Sequence, residues 1–296
     1  MKILLTGGVG GQVGWEINRI AGESHHELIS LTRSELDICN ALNVDAAVEH
    51  HKPDILINAA AYTAVDKAEE DQDAAFKVNR DGTHFLALAC KKATIPMLHI
   101  STDYIFDGTK TSPYEVDDPA APQSVYGASK WEGEECLRKA LTQHIILRTS
   151  WVFGRTGNNF VKTMLRLGLD RKELKVVADQ RGAPTSAHSI AACLLGLCDA
   201  YERDKDLPWG TYHFTGSPET TWSEFAEYIF REGLKQNLLD HEVKVNPIKT
   251  AEYPTLAKRP ANSRLSMRLT ESRLKVLIPD WRNDLIDVVE YLKTHR

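Results

Sequence analysis

Tyr126 and Lys130 stand four residues apart in Tyr126-Gly127-Ala128-Ser129-Lys130, just after the turn-rich run Asp117 to Pro122. On a helix, side chains four apart lie on one face, so phenol and ammonium can point into the same cleft. A free tyrosine titrates near pH 10. A cation ~5 Å away, at an effective dielectric of ~20, favours the phenolate by roughly 3 kcal/mol, about two pKa units. That would make Tyr126 a general acid near neutral pH. Spacing alone is weak support. With nine tyrosines and nineteen lysines such pairs arise by chance, and a second stands at Tyr201/Lys205 in a charged run that reads as a solvated helix end.

A second chemical cluster is Ser101-Thr102-Asp103, at the end of the apolar run Ile95 to Ile100. In parallel sheets ligands sit beyond the carboxyl ends of strands. A hydroxyl there could bond a substrate oxygen or the Tyr126 phenol. A third is Gly7-Gly8-Val9-Gly10-Gly11-Gln12-Val13-Gly14, directly after the apolar run Lys2 to Thr6 and before an amphipathic stretch. Gly8, Gly11 and Gly14 give a G-x-x-G-x-x-G spacing. Strand, glycine turn and helix is the setting for a dinucleotide pyrophosphate, held by backbone N–H groups at a helix N-terminus. The bland alternative is a tight turn without a ligand.

The residues after the second strand, His26 to Thr32, bear on the cofactor. An acidic residue there would hold a ribose 2′-hydroxyl. Here stand Thr32-Arg33-Ser34. A cation between two hydroxyls suits a 2′-phosphate, so NADPH is expected over NADH, the alternative being that Arg33 is a surface charge. Asp37 and Ile38 are placed to cap the adenine, with Asp37 on the base edge. Ala60 and Ala61 would let a cofactor ribose lie against the backbone. Asn79 is either a structural hydrogen-bonder, the favoured reading, or part of a water relay.

The elements that must position these groups alternate. Strands are expected at 2–6, 26–32, 54–61 (the strand with its exit), 95–101 and 144–150, with helices between them, one long helical pattern running from about 66 to 93. This alternation predicts an α/β fold: a Rossmann-like doubly wound parallel sheet over residues 1–150. Residues 151–296 are expected to form mainly a smaller C-terminal substrate-binding lobe, with segments about 175–215 returning to the first domain. Lys162, Arg181, Arg259 and Arg264 are candidate partners for a diphosphate. The chain shows no internal repeat.

The formal net charge is −5, which argues against a nucleic-acid binder. The cysteines, Cys39, Cys90, Cys136, Cys193 and Cys198, are odd in number and scattered, as expected for free thiols in a reducing cytoplasm. No signal peptide or membrane-length apolar run is read, so a cytoplasmic protein without membrane partners is expected.

Taken together, the chain resembles the extended short-chain dehydrogenase/reductase superfamily over nearly its whole length. The most specific pieces are Asn58 to Glu69, Ser101 to Phe106, Tyr126-Gly127 with Lys130, Leu147 to Trp151, Gly157 to Phe160, Gln180 with Gly182 to Thr185, and Arg259-Pro260 with Asn262 to Leu265. The resemblance implies NAD(P)H-dependent reduction of the C4 keto group of a dTDP-linked 4-keto-6-deoxy sugar, giving dTDP-L-rhamnose for surface polysaccharide. It implies that Tyr126 donates the proton, that Lys130 lowers its pKa and holds the nicotinamide ribose, and that Thr102 tunes the transfer. It implies substrate contacts from Thr102, Asp103, Trp151, Asn159 and Arg259. Cofactor contacts are implied from Gly8, Gly11, Gln12, Val13, Arg33, Asp37, Ile38, Ala60, Ala61, Tyr62, Thr63, Tyr126 and Lys130.

Two departures from the family pattern stand out. The glycine run is one residue longer, leaving Gly7 and Gly8 as alternatives for the first contact. Some members dimerise through magnesium held by glutamates; Glu16 matches one position but His188 stands at another, so no metal is expected, and a homodimer stays an open expectation. Competing readings are a reductase of another nucleotide-linked 4-keto-6-deoxy sugar and a non-catalytic NADP-binding regulatory subunit.

Overall fold

The computed structural model describes residues 1–295. The first half runs β1 (Lys2–Thr6), α1 (Gln12–Ala21), β2 (Glu27–Leu31), α2 (Ala41–His51), β3 (Ile55–Asn58), α3 (Val65–Ala68), α4 (Gln72–Phe76), a π-helical segment Lys77–Gly82, α5 (Thr83–Ala93), β4 (Met97–Thr102), α6 (Val125–Ala140) and β5 (His144–Thr149). Next come β6 (Val152–Phe153), α7 (Phe160–Gly168), β7 (Glu173–Val177), β8 (Arg181–Gly182), β9 (Thr185–Ser186), α8 (Ala187–Asp204) and β10 (Gly210–His213). The chain closes with β11 (Thr220–Thr221), α9 (Trp222–Lys235), β12 (Lys244–Ile248) and α10 (Trp281–Thr294).

Six strands form one parallel sheet in the order β10-β5-β4-β3-β1-β2. A strand buried on both faces reads as a continuous apolar run, and β1 shows why. Ile3 and Leu5 pack toward α1 and α8, while Leu4 packs toward α2 and α5 on the opposite face. The sheet is thus doubly wound, as the alternating pattern predicts. Its order reverses direction at β1, which has β2 on one side and β3 on the other. That reversal opens a crevice at the carboxyl ends of β1 and β3. Gly7 lines it with φ +72°, and a Cβ there would lie 2.6 Å from the Ala60 nitrogen, so only glycine lets the two strand exits meet this closely.

Three expectations change. The helix foreseen from about 66 to 93 is broken into α3, α4, a π-helical segment and α5. The π segment holds Asn79, whose amide is satisfied by the Tyr62 backbone and by Ser129. Such local unwinding is where a helix accommodates a demand from outside itself. Second, β7 does not join the large sheet; it pairs in parallel with β12. It belongs with α7, α9 and α10, around Phe153, Val161, Leu165, Phe225, Ile229 and Leu285. By contrast α8 and β10 do pack onto the large sheet. Third, an unforeseen set of two-residue strand pairs, β6 with β9 and β8 with β11, stitches the later segments together. No described helix is long and apolar enough to cross a membrane.

Candidate active site

The site is built at the carboxyl end of β4. Thr102 is the last residue of that strand, and its side chain caps the short turn Asp103–Ile105 by accepting from the Tyr104 N–H. α6 begins nearby, with Ser124 as N-cap accepting from the Gly127 N–H. Tyr126 therefore sits in the first helical turn. Gly127 permits this, because a Cβ there would lie 2.2 Å from the Tyr104 carbonyl oxygen. This close approach brings the Tyr126 hydroxyl into a hydrogen bond with the Thr102 side chain. Tyr104 lies edge-on against Tyr126, ring centres 5.5 Å apart.

The electrostatics differ from the expectation. Burial pushes the Tyr126 phenol up, the Thr102 hydrogen bond opposes that, and Asp103 and Tyr104 push it further up. Lys130 is not among these influences. Its Nζ donates to the Ile100 carbonyl at 2.7 Å and lies 3.3 Å from His99 Nε2. The amine is thus turned beneath β4, while the phenol faces Thr102. The physical reason is that a buried amine must find a partner, and the strand offers a carbonyl. Burial also pushes the Lys130 ammonium down to about 8, with Glu134 opposing.

Asp103 is 3 % exposed. Its Oδ1 accepts from Thr102 at 3.1 Å, while Oδ2 is buried without a hydrogen-bond partner. Burial raises its carboxyl to about 6, against the pull of the nearby Ser263 hydroxyl, the Thr102 hydrogen bond and the charge of Arg259. An orphaned buried acceptor beside the phenol is what a sugar hydroxyl would satisfy. Arg259 reaches the same corner: it donates to the Tyr104 hydroxyl at 2.9 Å and pairs with Asp66 at 2.5 Å. Ser101, expected at the cleft, faces away, because neighbours on a strand alternate. Its hydroxyl donates to Glu134 at 2.5 Å.

The residues of the expected cofactor cleft follow the crevice. α1 opens at Gly11 with no side-chain cap and no acidic residue in its first turn. Its first N–H groups, on Gln12 and Val13, suit an anion. Gly8 packs near Ser30 and Asn18. Ala60, Ala61 and Tyr62 are half-buried, and Thr63 is exposed, along the exit of β3. Thr32 bonds Glu35 while Arg33 is exposed. Ile38 is buried against Gly82, and Asp37 accepts from the Cys39 N–H. This donor set fits a dinucleotide: backbone N–H groups for phosphate, a guanidinium at the β2 exit, and an apolar shelf.

Other candidates are engaged elsewhere. Asn159 caps α7 by accepting from the Lys162 N–H and donates to Gln12 Oε1 at 2.9 Å, so it bridges toward the glycine turn. Arg264 pairs with Glu219 at 3.1 Å and donates to the Thr111 carbonyl. Arg181 is exposed, and its backbone pairs with Thr221. Trp151, at φ +50°, stacks on Trp222 with ring centres 3.7 Å apart. Phe160 lies 4.6 Å from Trp222. Trp222, Tyr104 and Asp66 join the site without being among the residues expected there from sequence. Tyr104 and Asp66 lay within resemblance motifs; for Trp222 no local spacing signals its pairing with a residue so distant in sequence. Glu16 is buried among cations. Burial opposes its ionisation, but the neighbouring His188 and the hydrogen bonds donated by Arg155 and Arg19 hold its carboxyl down at about 2.

A parallel sheet with a glycine turn at its switch point, and a tyrosine–lysine helix beside the next strand exit, define the class of extended short-chain dehydrogenases/reductases. A family model described as RmlD substrate binding domain matches residues 1–294, and the chain belongs to that family. It is 44 % identical over 292 residues to a dTDP-4-dehydrorhamnose reductase of Aggregatibacter actinomycetemcomitans, covering 98 % of this chain and 99 % of that one. It is 40 % identical over 286 residues to that of Escherichia coli K12, covering 95 % of each. Among solved structures, a dTDP-4-dehydrorhamnose reductase of Bacillus anthracis in complex with NADP superposes with a TM-score of 0.88 at 34 % identity, over 97 % of this chain and 98 % of that one.

Proposed function

We propose that the protein reduces the C4 keto group of dTDP-4-dehydro-L-rhamnose to give dTDP-L-rhamnose, with NADPH as reductant. The observation that carries this reading is the Tyr126–Thr102–Asp103 cluster at a strand exit, beside the crevice, in a chain matched end to end by reductases of that name. When bound, NADPH supplies hydride to C4. Tyr126 then gives its hydroxyl proton to the C4 oxygen, so ketone, hydride and proton balance as a secondary alcohol. Burial keeps the phenol protonated at neutral pH, which suits a donor. Thr102 holds that hydroxyl in line, and the free Asp103 oxygen accepts from a sugar hydroxyl. Arg259 and Trp151 bound the sugar-nucleotide side. Lys130 serves the nicotinamide ribose and the phenol once it leaves the Ile100 carbonyl. Gly8, Gly11, Gln12 and Val13 cradle the pyrophosphate. Arg33 takes the 2′-phosphate.

The test is NADPH oxidation with dTDP-4-dehydro-L-rhamnose and NMR of the product. Formation of dTDP-L-rhamnose is expected. Absence of turnover, with a stoichiometric enzyme partner co-purifying, would favour the regulatory-subunit reading instead. kcat/KM is expected to be higher for NADPH than NADH, and Arg33→Ala is expected to lower the NADPH value about ten- to a hundredfold. A clear NADH preference in the wild type overturns the role given to Arg33.

A further inference from the structure

Four buried polar side chains run in line beneath the ends of β1, β3 and β4: Thr6, Asn58, His99 and Lys130. The first link sets the direction of the rest. The Ala60 backbone N–H, which can only donate, lies 3.1 Å from Asn58 Oδ1, and the Thr6 hydroxyl lies 2.7 Å from the same atom. That end of the amide is therefore its carbonyl. The other end, the NH2 group, lies 3.0 Å from His99 Nδ1. An amide NH2 only donates, so His99 Nδ1 is a bare acceptor.

His99 is fully buried. Burial first, then the charges of Lys130, His144 and Arg138, hold its pKa well below the ordinary histidine value, so the ring is neutral. A neutral ring with a bare Nδ1 carries its hydrogen on Nε2. That N–H faces Lys130 Nζ at 3.3 Å. An ammonium has three donors and no lone pair, so a charged Lys130 would set donor against donor. A neutral amine satisfies both neighbours. It donates to the Ile100 carbonyl at 2.7 Å and accepts from His99.

We propose that His99 is a positioning residue for Lys130: locked by Asn58 as the Nε2–H tautomer, it berths the lysine beneath β4 as the free amine, and the ammonium form leaves this berth for the Tyr126 side of the cleft. The assignment rests on the role given to Lys130 above. Burial of Lys130 acts in the same direction. From α6, Glu134 favours the ammonium, but its charge is shared with Arg138 and Arg148. From β5, His144 opposes added positive charge on His99. Position and protonation of the lysine are thereby linked.

Two variants test this without substrate. Asn58→Asp keeps an acceptor for Thr6 and Ala60 but places a second acceptor against Nδ1. The ring should then carry its hydrogen on Nδ1 and offer Nε2 to an ammonium. His99→Leu removes the Nε2–H. Long-range 1H–15N NMR of histidine-labelled apoenzyme reads the tautomer, with His99 assigned by its loss in His99→Leu. The hydrogen is expected on Nε2 in the wild type and on Nδ1 in Asn58→Asp. The Lys130 pKa, followed by 13C NMR of labelled lysine and assigned with Lys130→Arg, is expected to rise by about one pH unit in both variants. A wild-type His99 with its hydrogen on Nδ1, or a Lys130 pKa unmoved in both variants, overturns the proposal. Because neither readout needs turnover, loss of the reductase reading would leave these results standing.

Discussion

Replacing Tyr126 by phenylalanine removes one oxygen and leaves the ring edge-on to Tyr104. The variant should bind NADPH as the wild type does, by fluorescence titration, while kcat falls by about 10²- to 10⁴-fold. Near-normal turnover would rule out the proton-donor role. Asp103 gives a second test at this scale. Its folded carboxyl is raised by burial to about 6, against an ordinary 3.8. The folded state thus binds the proton more readily than the unfolded state. The contribution of this group to stability is fully present below about pH 4, falls as pH rises from about 4 to 6, and stays reduced above. Asp103→Asn should therefore be more stable than wild type at pH 7, by up to roughly 3 kcal/mol in urea denaturation, with the difference vanishing near pH 4. Equal stabilities at pH 7 would show that Thr102, Ser263 and Arg259 compensate the buried charge in full.

The element that holds the site is α6, and one carboxylate ties it to the sheet. Glu134 is fully buried and receives Arg148 from β5 at 2.8 Å, the Ser101 hydroxyl from β4, and Arg138 from its own helix. Burial works against its ionisation, but Arg148, then Arg138 and Ser101, hold its carboxyl low. Glu134→Gln removes the charge and leaves two guanidinium groups facing a neutral amide. Breaking a buried pair this way costs about 3–5 kcal/mol. A loss of that size is expected in urea denaturation at pH 7, and a loss below about 1 kcal/mol would mean that water reaches the cluster.

At the scale of the molecule, the chain's distant segments meet at the cleft. Asp66, just past the β3 exit, and Tyr104, just past β4, are joined by Arg259 from the polar loop near the C-terminus. Gln12 of the glycine turn is joined to Asn159 at the start of α7. Arg259→Ala should raise KM for the nucleotide sugar about tenfold or more, since a charged hydrogen bond is worth about 1.5–3 kcal/mol. NADPH affinity should be unchanged, because the partners of Arg259, Tyr104 and Asp66, are not among the residues assigned to the cofactor. Equal losses for both ligands would mean that Arg259 holds the whole cleft together.

Much of this was legible beforehand. Alternating apolar runs and glycine turns announce β1 to β5 and the helices between them, because strand and helix periodicity are local properties. The Tyr126/Lys130 spacing, the Thr102–Asp103 strand exit and the glycine turn before α1 were readable for the same reason. Other features depended on how the chain folds on itself. The Lys130 amine turns under β4 because Ile100 and His99 await it there, and nothing within four residues of Lys130 records that. The stack of Trp151 on Trp222, the pairing of β7 with β12 and the reach of Arg259 to Tyr104 join residues far apart in sequence. Local propensity places a side chain on a helix or strand face; close packing of distant segments selects which partner that side chain meets.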